Sequence, residues 1–128
     1  MAPESLRYAK THEWVAMEQS LATVGISDFA VQLLTDIVFI DLPQVGRSVA
    51  AGETIGEIES VKAVSDLYAP IAGEIVEVNE DLPNDLSLLS DSPFEKGWIC
   101  RIRAADEDAA SDLMDVAAYR QHCESESH

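Results

Sequence analysis

The run Glu57-Ile58-Glu59-Ser60-Val61-Lys62-Ala63-Val64-Ser65-Asp66 sets one lysine between small apolar neighbours and acidic flanks. The segments on either side, residues 51–60 and 64–78, are rich in Val, Ile, Gly and Thr, a composition typical of β-strands. We therefore expect a hairpin over about residues 54–78 with Lys62 at its turn. A lysine at such a tip presents its ε-amine on a flexible stem, where another enzyme can acylate it.

The ordinary interpretation of a turn lysine is a solvated charge, because Lys is seldom buried. This chain contains only three lysines, and its 24 acidic and 8 basic residues give a formal net charge of −16. An acidic chain without a basic patch is repelled by phosphate backbones, which argues against nucleic-acid binding. The same charge either directs the chain to basic docking surfaces or keeps it soluble, and both interpretations stay open.

Length and composition predict one small globular domain over residues 1–128. No apolar run has the length of a membrane span, so we expect no membrane segment. The first five residues carry neither signal-peptide nor transit-peptide features, which indicates a cytoplasmic and most simply bacterial protein. In that compartment Cys100 and Cys123 are expected to stay reduced. We expect a monomer.

The pattern along the chain is mainly β with short helices. Residues 14–17 and 21–26 are expected to pair as a hairpin, and Ser27 is placed to cap a helix that ends near Leu34. Further strands are predicted near residues 37–41 and 54–60. The Ala-rich, acidic sequence over about residues 105–123 predicts a C-terminal helical segment, within which Asp115 can act as a cap.

An approximate repeat flanks the lysine, since residues 52–58 and 73–78 share a Gly-Glu start and β-branched content. Two similar strand units on either side of a turn predict a flattened β-barrel or sandwich. His12, His122 and His128 are scattered, and no nucleophile context, metal-ligand spacing or phosphate-binding loop is present. We therefore expect no catalytic residues and no metal site, and interpret the chain as a substrate of other enzymes.

Several blocks of sequence, in the right order, resemble the glycine cleavage system H-protein family. Residues 59–66 resemble its lipoyl-lysine motif, and the family's pattern continues over most of the chain. The other matching blocks are Tyr8 to Val15, Val24 to Ala30, Asp36 to Phe39, Leu42 to Gly46, Tyr68 to Asn79 and Pro93 to Trp98. A biotinyl domain would place methionine on both sides of the lysine, whereas this chain has Val61 and Ala63.

The resemblance implies a lipoyl-domain-like fold, a barrel-sandwich hybrid, with lipoate joined by an amide to Lys62. It implies a carrier that takes the aminomethyl group of glycine from the pyridoxal-phosphate decarboxylase (P protein) to the aminomethyltransferase (T protein). Dihydrolipoamide dehydrogenase (L protein) would reoxidise the arm, and lipoyl-attaching enzymes would modify the lysine. Two alternatives stay open: a relay that donates lipoyl groups to 2-oxoacid dehydrogenases, and an interaction module with an unmodified lysine.

The resemblance also suggests roles for the residues around the arm. Glu13 matches the family position that holds the amine of the loaded arm in a sheltering cleft, and Asp66 is the second candidate. The alternative for Glu13 is a solvated strand residue, because exposed Glu is the usual case. Glu59, Val61 and Ala63 are expected to serve recognition by the lipoyl-attaching enzyme, as an acid and two small neighbours of the lysine.

Three positions depart from the family's pattern. Thr35 stands where a glycine commonly follows the first helix, Ser90 replaces an asparagine, and Phe94 replaces a tyrosine. The changes at Ser90 and Phe94 remove a side-chain amide and a phenolic hydroxyl from the second half of the fold, and none of the three touches the lysine motif. We expect lipoylation to be unaffected, and the pairing with the P protein to be the property that these changes would alter.

Overall fold

The computed structural model describes residues 3–34, 36–106, 110–111 and 113–126. These residues form a mainly β structure, as predicted, with nine strands, three α-helices and two 3-10 turns. The strands are β1 (Arg7–Tyr8), β2 (Glu13–Glu18), β3 (Leu21–Ile26), β4 (Ile37–Asp41), β5 (Ser48–Val49), β6 (Thr54–Ser60), β7 (Val64–Tyr68), β8 (Gly73–Val78) and β9 (Cys100–Ala104). The helices are α1 (Asp28–Leu34), α2 (Ser87–Asp91) and α3 (Val116–Glu126), and the 3-10 turns are Pro3–Ser5 and Leu82–Asn84. None of the described helices has the length and apolarity to span a membrane.

Two sheets pack against one core. The larger sheet has the strand order β1-β2-β3-β9-β8-β5, and the smaller has the order β4-β6-β7. Buried side chains from both sheets meet between them, including Val24, Ile75 and Ile102 from the larger sheet and Ile58 and Leu67 from the smaller. The fold is therefore the sandwich form of the prediction, with two separate sheets instead of one closed barrel.

The first predicted hairpin and helix are confirmed. β2 and β3 pair in register from Glu13↔Ile26 to Glu18↔Leu21, across a two-residue turn. The Ser27 hydroxyl oxygen accepts a hydrogen bond from the Ala30 backbone N–H at 3.2 Å, which satisfies one of the free donors at the start of α1. β2, β3 and α1 thus form one continuous unit, and residues of all three elements line the candidate site.

The lysine hairpin is shorter than predicted. β6 and β7 pair from Thr54↔Tyr68 to Glu59↔Val64, whereas β8 lies in the other sheet, between β5 and β9. The predicted strand over residues 64–78 was therefore wrong, because residues 69–72 leave the small sheet and cross to the large one. Buried Pro70 lies in this crossing, and it has no N–H to donate to a strand partner. The hairpin spans residues 54–68.

The C-terminal helix also begins later than predicted. β9 continues to Ala104, α3 starts at Val116, and residues 107–109 and 112 of the predicted segment lie outside the described residues. The Asp115 carboxylate accepts a hydrogen bond from the Ala118 N–H at 2.9 Å, so Asp115 caps the helix as expected. α3 packs through Tyr119, whose ring stacks on Tyr8 with centroids 4.3 Å apart.

Candidate functional site

Lys62 is exposed at the tip of the β6–β7 hairpin. The turn beneath it is held by backbone and side-chain hydrogen bonds. The Ser60 N–H donates to the Ala63 carbonyl at 2.8 Å, and the Ser60 hydroxyl oxygen accepts from the Ala63 N–H at 3.2 Å. The Val61 N–H donates to the Asp36 carbonyl at 3.2 Å, which ties the tip to the loop before β4. The lysine stem therefore extends from a fixed base into solvent.

A cleft of about 80 Å³ lies beside the hairpin that carries this lysine. One wall comes from β6 and β7, a second from the segment that leads into β2, and a third from α1 and the end of β3. Its lining residues are Thr11, His12, Glu13, Ile26, Ala30, Leu33, Leu34, Ile58, Ser65, Asp66 and Leu67. An otherwise apolar cleft thus carries a few convergent polar groups, the usual composition of a binding site.

Glu13 is the buried acid of this cleft. Only 1% of its surface is exposed, so the alternative of a solvated strand residue is wrong. Alternation along β2 points its side chain to the same face as Val15, toward the core between the sheets. One carboxylate oxygen accepts a hydrogen bond from the Thr11 hydroxyl, and the other accepts from the Tyr68 backbone N–H at 3.2 Å. The carboxylate is therefore fixed between two segments of chain.

Burial raises the pKa of Glu13 from its usual value near 4.5 to about 7. Desolvation is the largest cause, because the apolar surroundings disfavour the charged form. The hydrogen bonds from Thr11 and Tyr68 act in the opposite direction and keep the shift moderate. A carboxyl group poised near neutrality in a cleft is typical of a functional site, since it can change charge when a cation enters.

Asp66 also lines the cleft, but its side chain lies on the outer face of the hairpin, opposite to the face that carries the Ser65 side chain. Ser65 pairs with buried Ile58, so the Ser65 side chain lies on the inner face, and Asp66 pairs with Glu57 on the outer face. The Tyr68 hydroxyl donates a weak hydrogen bond to the Asp66 carboxylate at 3.4 Å. Ser65 was missed by sequence reasoning, although the period of two along β7 could have identified it.

His12 joins the cleft to the C-terminal helix. Its backbone has φ of +80°, a left-handed conformation that is uncommon for residues other than glycine and costs free energy. The His12 Nδ1 atom lies 2.7 Å from the Tyr119 hydroxyl, and that hydroxyl also hydrogen-bonds Ser27 Oγ. The rings of His12 and His122 are 5.8 Å apart, so two of the histidines that looked scattered are neighbours. His128 lies outside the described residues.

We expect the Tyr119→Phe variant to lose about 2 kcal/mol of unfolding free energy, because His12 and Ser27 each lose a hydrogen-bond partner in a largely buried place. Stacking on Tyr8 would be kept. Urea denaturation measures the loss. Tyr68→Phe is the matched control, since it removes a phenolic hydroxyl whose bond to Asp66 is exposed and long, and it should cost less than about 0.5 kcal/mol. If the two variants lost equal amounts of unfolding free energy, the hydrogen bonds of the Tyr119 hydroxyl would not be the stabilising contacts.

The other predicted residues lie around the tip or away from it. Val61 and Ala63 are exposed on either side of the lysine, and Glu59 is half-buried one pair below the turn. Ser90 is exposed on α2, and Phe94 packs on Trp14 with ring centroids 6.3 Å apart. Neither departure lines the cleft. Thr35 lies outside the described residues.

A larger cavity of about 410 Å³ lies between α1 and α3, lined in part by Phe29, Phe94, Tyr119 and Arg120. It contains none of the predicted site residues. Among the described residues, no three His, Cys, Asp or Glu side chains are grouped to hold a metal ion. Cys100 is buried in the core and Cys123 is half-buried, and the two do not form a disulfide with each other. The chemistry-bearing groups that converge are therefore those beside the lysine hairpin.

Comparison with known proteins agrees with this geometry. A family model described as glycine cleavage H-protein matches residues 6–126. A glycine cleavage system H protein from Rhodopirellula baltica is 51% identical over 125 residues, covering 94% of each chain. One from Streptomyces coelicolor is 53% identical over 118 residues, covering 91% of this chain and 93% of the relative. The crystal structure of a glycine cleavage system H protein from Mycobacterium marinum superposes with a TM-score of 0.85 at 37% identity, covering 94% of this chain and 97% of that one.

Proposed function

Since the chain belongs to the glycine cleavage H-protein family and is a lipoyl carrier of the glycine cleavage system, we propose that Lys62 is its lipoyl attachment point. The observation that carries this proposal is the position of the amine. Lys62 stands exposed on an anchored hairpin tip whose two strands also form one wall of a cleft with a buried carboxylate. An amide at that nitrogen would attach a long arm next to a place where its end can be sheltered.

The residues present fit such an arm. When bound, lipoate would supply a disulfide that takes up the aminomethyl group with two electrons and, once that group has been passed on, a dithiol that gives up the two electrons separately. Apolar side chains on two of the three walls exclude water: Ile26, Leu33 and Leu34 lie on the wall from β3 and α1, and Ile58 and Leu67 on the wall from β6 and β7. The cleft is small enough to hold the end of an arm without holding its whole length.

Glu13 is proposed to retain the cargo. An aminomethyl group carries a cationic amine, and a buried carboxylate binds a cation through a charge-assisted hydrogen bond. With a pKa of about 7, Glu13 is partly protonated in an empty cleft at neutral pH. Entry of a cation favours the ionised carboxylate, so a proton leaves as the amine binds. Thr11 and Tyr68 already donate to the two carboxylate oxygens and hold them in place.

Asp66 and Ser65 are proposed as secondary contacts at the mouth of the cleft. Both residues are exposed and line it, but the Ser65 hydroxyl lies on the inner face of β7 and the Asp66 carboxylate on the outer face. Asp66 would attract a cationic amine from solvent, and Ser65 would offer it a hydrogen-bond acceptor. Glu13 is thus the stronger candidate of the two acids, because burial strengthens its interaction with a cation.

Recognition by a lipoyl-attaching enzyme is proposed to use the immediate neighbours of the lysine. Val61 and Ala63 are small and exposed, so an active site could approach the Lys62 stem closely. Glu59 would supply a negative charge that orients the hairpin on a basic surface. The partners that follow from the family are the P, T and L proteins, which visit the same arm in turn.

Reconstitution tests the proposed function. Lipoylated protein, verified by intact mass, is mixed with P, T and L proteins, glycine, tetrahydrofolate and NAD⁺. We expect glycine-dependent formation of NADH that is proportional to the amount of carrier and absent with the unmodified chain. No NADH from fully lipoylated protein, with the enzymes shown to be active on another carrier, would overturn the proposal.

A further inference from the structure

The loop of residues 10–12 joins β1 to β2 and ends directly before Glu13. Two backbone hydrogen bonds close this loop: the His12 N–H donates to the Ala9 carbonyl at 3.0 Å, and the Ala9 N–H donates to the Glu13 carbonyl at 2.9 Å. His12, with its φ of +80°, stands where a three-residue hairpin loop forms a bulge with one residue in the left-handed conformation. Glycine is the usual residue at that position, because it has no Cβ atom to clash there.

The bulge brings together the groups that fix the buried carboxylate. A bulge redirects the side chains next to it, and here the Thr11 hydroxyl donates to the carboxylate of Glu13, two residues along the chain. The second carboxylate oxygen accepts from the Tyr68 N–H on β7 at 3.2 Å. A rotation of His12 out of its left-handed conformation would move Glu13 relative to both donors. The orientation of the carboxylate therefore depends on a backbone conformation that histidine adopts only at a cost in free energy.

The C-terminal helix supplies contacts that hold this conformation. The His12 Nδ1 atom lies 2.7 Å from the Tyr119 hydroxyl, and His122 Nε2 donates to the Lys10 carbonyl at 3.0 Å. Tyr119 and His122 are three residues apart, so one face of α3 contacts both ends of the loop. The Ser27 N–H donates to the His12 carbonyl at 3.0 Å, and the Ser27 hydroxyl bonds the Tyr119 hydroxyl. A left-handed residue other than glycine persists only where its surroundings fix it, and these contacts do so.

We infer that His12 is a positioning residue for retention of the cargo, and that α3, through Tyr119, holds His12 in the conformation that aims Glu13 into the cleft. This inference rests on the proposed function, in which Glu13 retains the aminomethyl group. His12 acts through the backbone of the loop and not through contact with the cargo. When the contact with Tyr119 is lost, the loop relaxes to an ordinary conformation, the carboxylate leaves its two donors, and the cargo is held less well.

His12→Ala and His12→Gly form a matched pair that tests the backbone conformation. Both variants remove the imidazole, but only glycine adopts a positive φ without strain, so they differ in whether the bulge survives. We expect His12→Ala to release the cargo roughly tenfold faster than wild type at pH 8, because a small displacement of a positioned group has an effect of this order. His12→Gly should release it more slowly than His12→Ala. Formaldehyde and ammonia release from loaded protein measures the rates, and equal rates in the two variants would overturn the inference.

Tyr119→Phe tests the contact with α3 while His12 stays in place. This variant should speed release in the wild-type background and have no further effect in the His12→Gly background, where no strained residue has to be held. Equal acceleration in both backgrounds would overturn the inference, because Tyr119 would then act independently of residue 12. Ile102→Val controls for a general loss of stability, since Ile102 is buried in the core and does not line the cleft. It should release the cargo at the wild-type rate, and acceleration equal to that of Tyr119→Phe would also overturn the inference.

The pKa of Glu13 in the unmodified chain gives a second measurement that needs no lipoate. Burial raises this pKa, and the hydrogen bonds from Thr11 and Tyr68 lower it, so its value reports where the carboxylate lies. Titration of the carboxyl carbon by NMR should show a pKa moved from about 7 in His12→Ala and Tyr119→Phe, and unchanged in Ile102→Val. Tyr119→Phe keeps the imidazole, so a shift in that variant does not come from removal of a neighbouring titratable group.

The two measurements separate failure of this inference from failure of the proposed function. A wild-type pKa of Glu13 in either His12→Ala or Tyr119→Phe would overturn the positioning role, whatever the release rates. Wild-type protein that cannot be loaded with cargo would instead reject the proposed function, and the pKa values would still show whether His12 and Tyr119 position the carboxylate.

Discussion

The Lys62→Arg variant is expected to fold like wild type, to gain no lipoyl group and to support no glycine-dependent NADH formation. Arginine keeps the positive charge and the length of the side chain, but its guanidinium is always protonated and does not act as the acyl-accepting amine. The side chain is exposed at a hairpin tip, so the unfolding free energy should change by less than about 0.5 kcal/mol. Intact mass, urea denaturation and the reconstituted assay measure the three properties.

Lys96→Arg is the matched control for this change. Lys96 is also exposed, but it lies in the loop before β9 and away from the hairpin. We expect this variant to be lipoylated and active at the wild-type level. Attachment of lipoate to the Lys62→Arg variant, at Lys10 or Lys96, would show that position 62 is not the required acceptor.

Glu13→Gln is expected to release the aminomethyl cargo faster than wild type, by roughly tenfold to a hundredfold at pH 8. The range corresponds to the roughly 1.5–3 kcal/mol that a hydrogen bond to a charged group contributes. Glutamine keeps the size of the side chain but cannot form an ion pair with the amine. The rate of formaldehyde and ammonia release from loaded protein is the measurement, and it needs none of the partner enzymes once loading is complete.

The pH dependence distinguishes the charge of Glu13 from its shape. Because the pKa of Glu13 is about 7, wild type should retain the cargo well above pH 7 and less well as protonation removes the charge below it. Retention of the cargo should improve as pH rises, whereas the contribution of Glu13 to folding stability should fall. A carboxyl with a raised pKa binds its proton more tightly in the folded state, so the contribution of Glu13 to the unfolding free energy falls by roughly 3 kcal/mol as pH rises from about 4.5 to 7. This contribution, and the pH dependence of retention that comes from Glu13, should be absent from Glu13→Gln.

Glu18→Gln is the control for the chemical change itself. Glu18 lies at the other end of the same strand and is exposed, so its amide variant should release cargo at the wild-type rate and keep the wild-type pH dependence. Should Glu13→Gln decay no faster than Glu18→Gln at pH 8, the cargo is held by other groups, and Asp66 becomes the next residue to replace.

Much of the fold could be predicted from local sequence. The β2–β3 hairpin and the Ser27 cap depend on interactions within a few residues, and composition and pattern report such interactions directly. The predicted strand over residues 64–78 was wrong for a related reason, since it too was inferred from local composition. Residues 64–78 are rich in β-forming residues, but Pro70 interrupts them, and the chain crosses from one sheet to the other at 69–72. Which sheet a strand joins depends on its distant partners and not on its own residues.

The candidate site was predicted less completely. Lys62 was identified from its neighbours, whereas a sheltered position for Glu13 was expected only from the resemblance, beside the alternative of a solvated strand residue. Alternation along β2 sets Glu13 in phase with Val15, and this signal could have indicated an inward-facing acid. The contact between His12 and Tyr119, 107 residues apart, leaves no comparable signal in the sequence.

The amino-acid sequence determined the family, the strand content and the exposed position of Lys62, because each follows from the order of neighbouring residues. Tertiary structure alone decided that the Glu13 carboxylate meets the Tyr68 N–H, that His12 contacts Tyr119 and that Phe39 lies in a row with Glu59 and Val64. These properties arise from strand register and from packing between segments far apart in the chain. Burial and charge at the site are set by such contacts, and so is the pKa of the carboxyl group beside the arm.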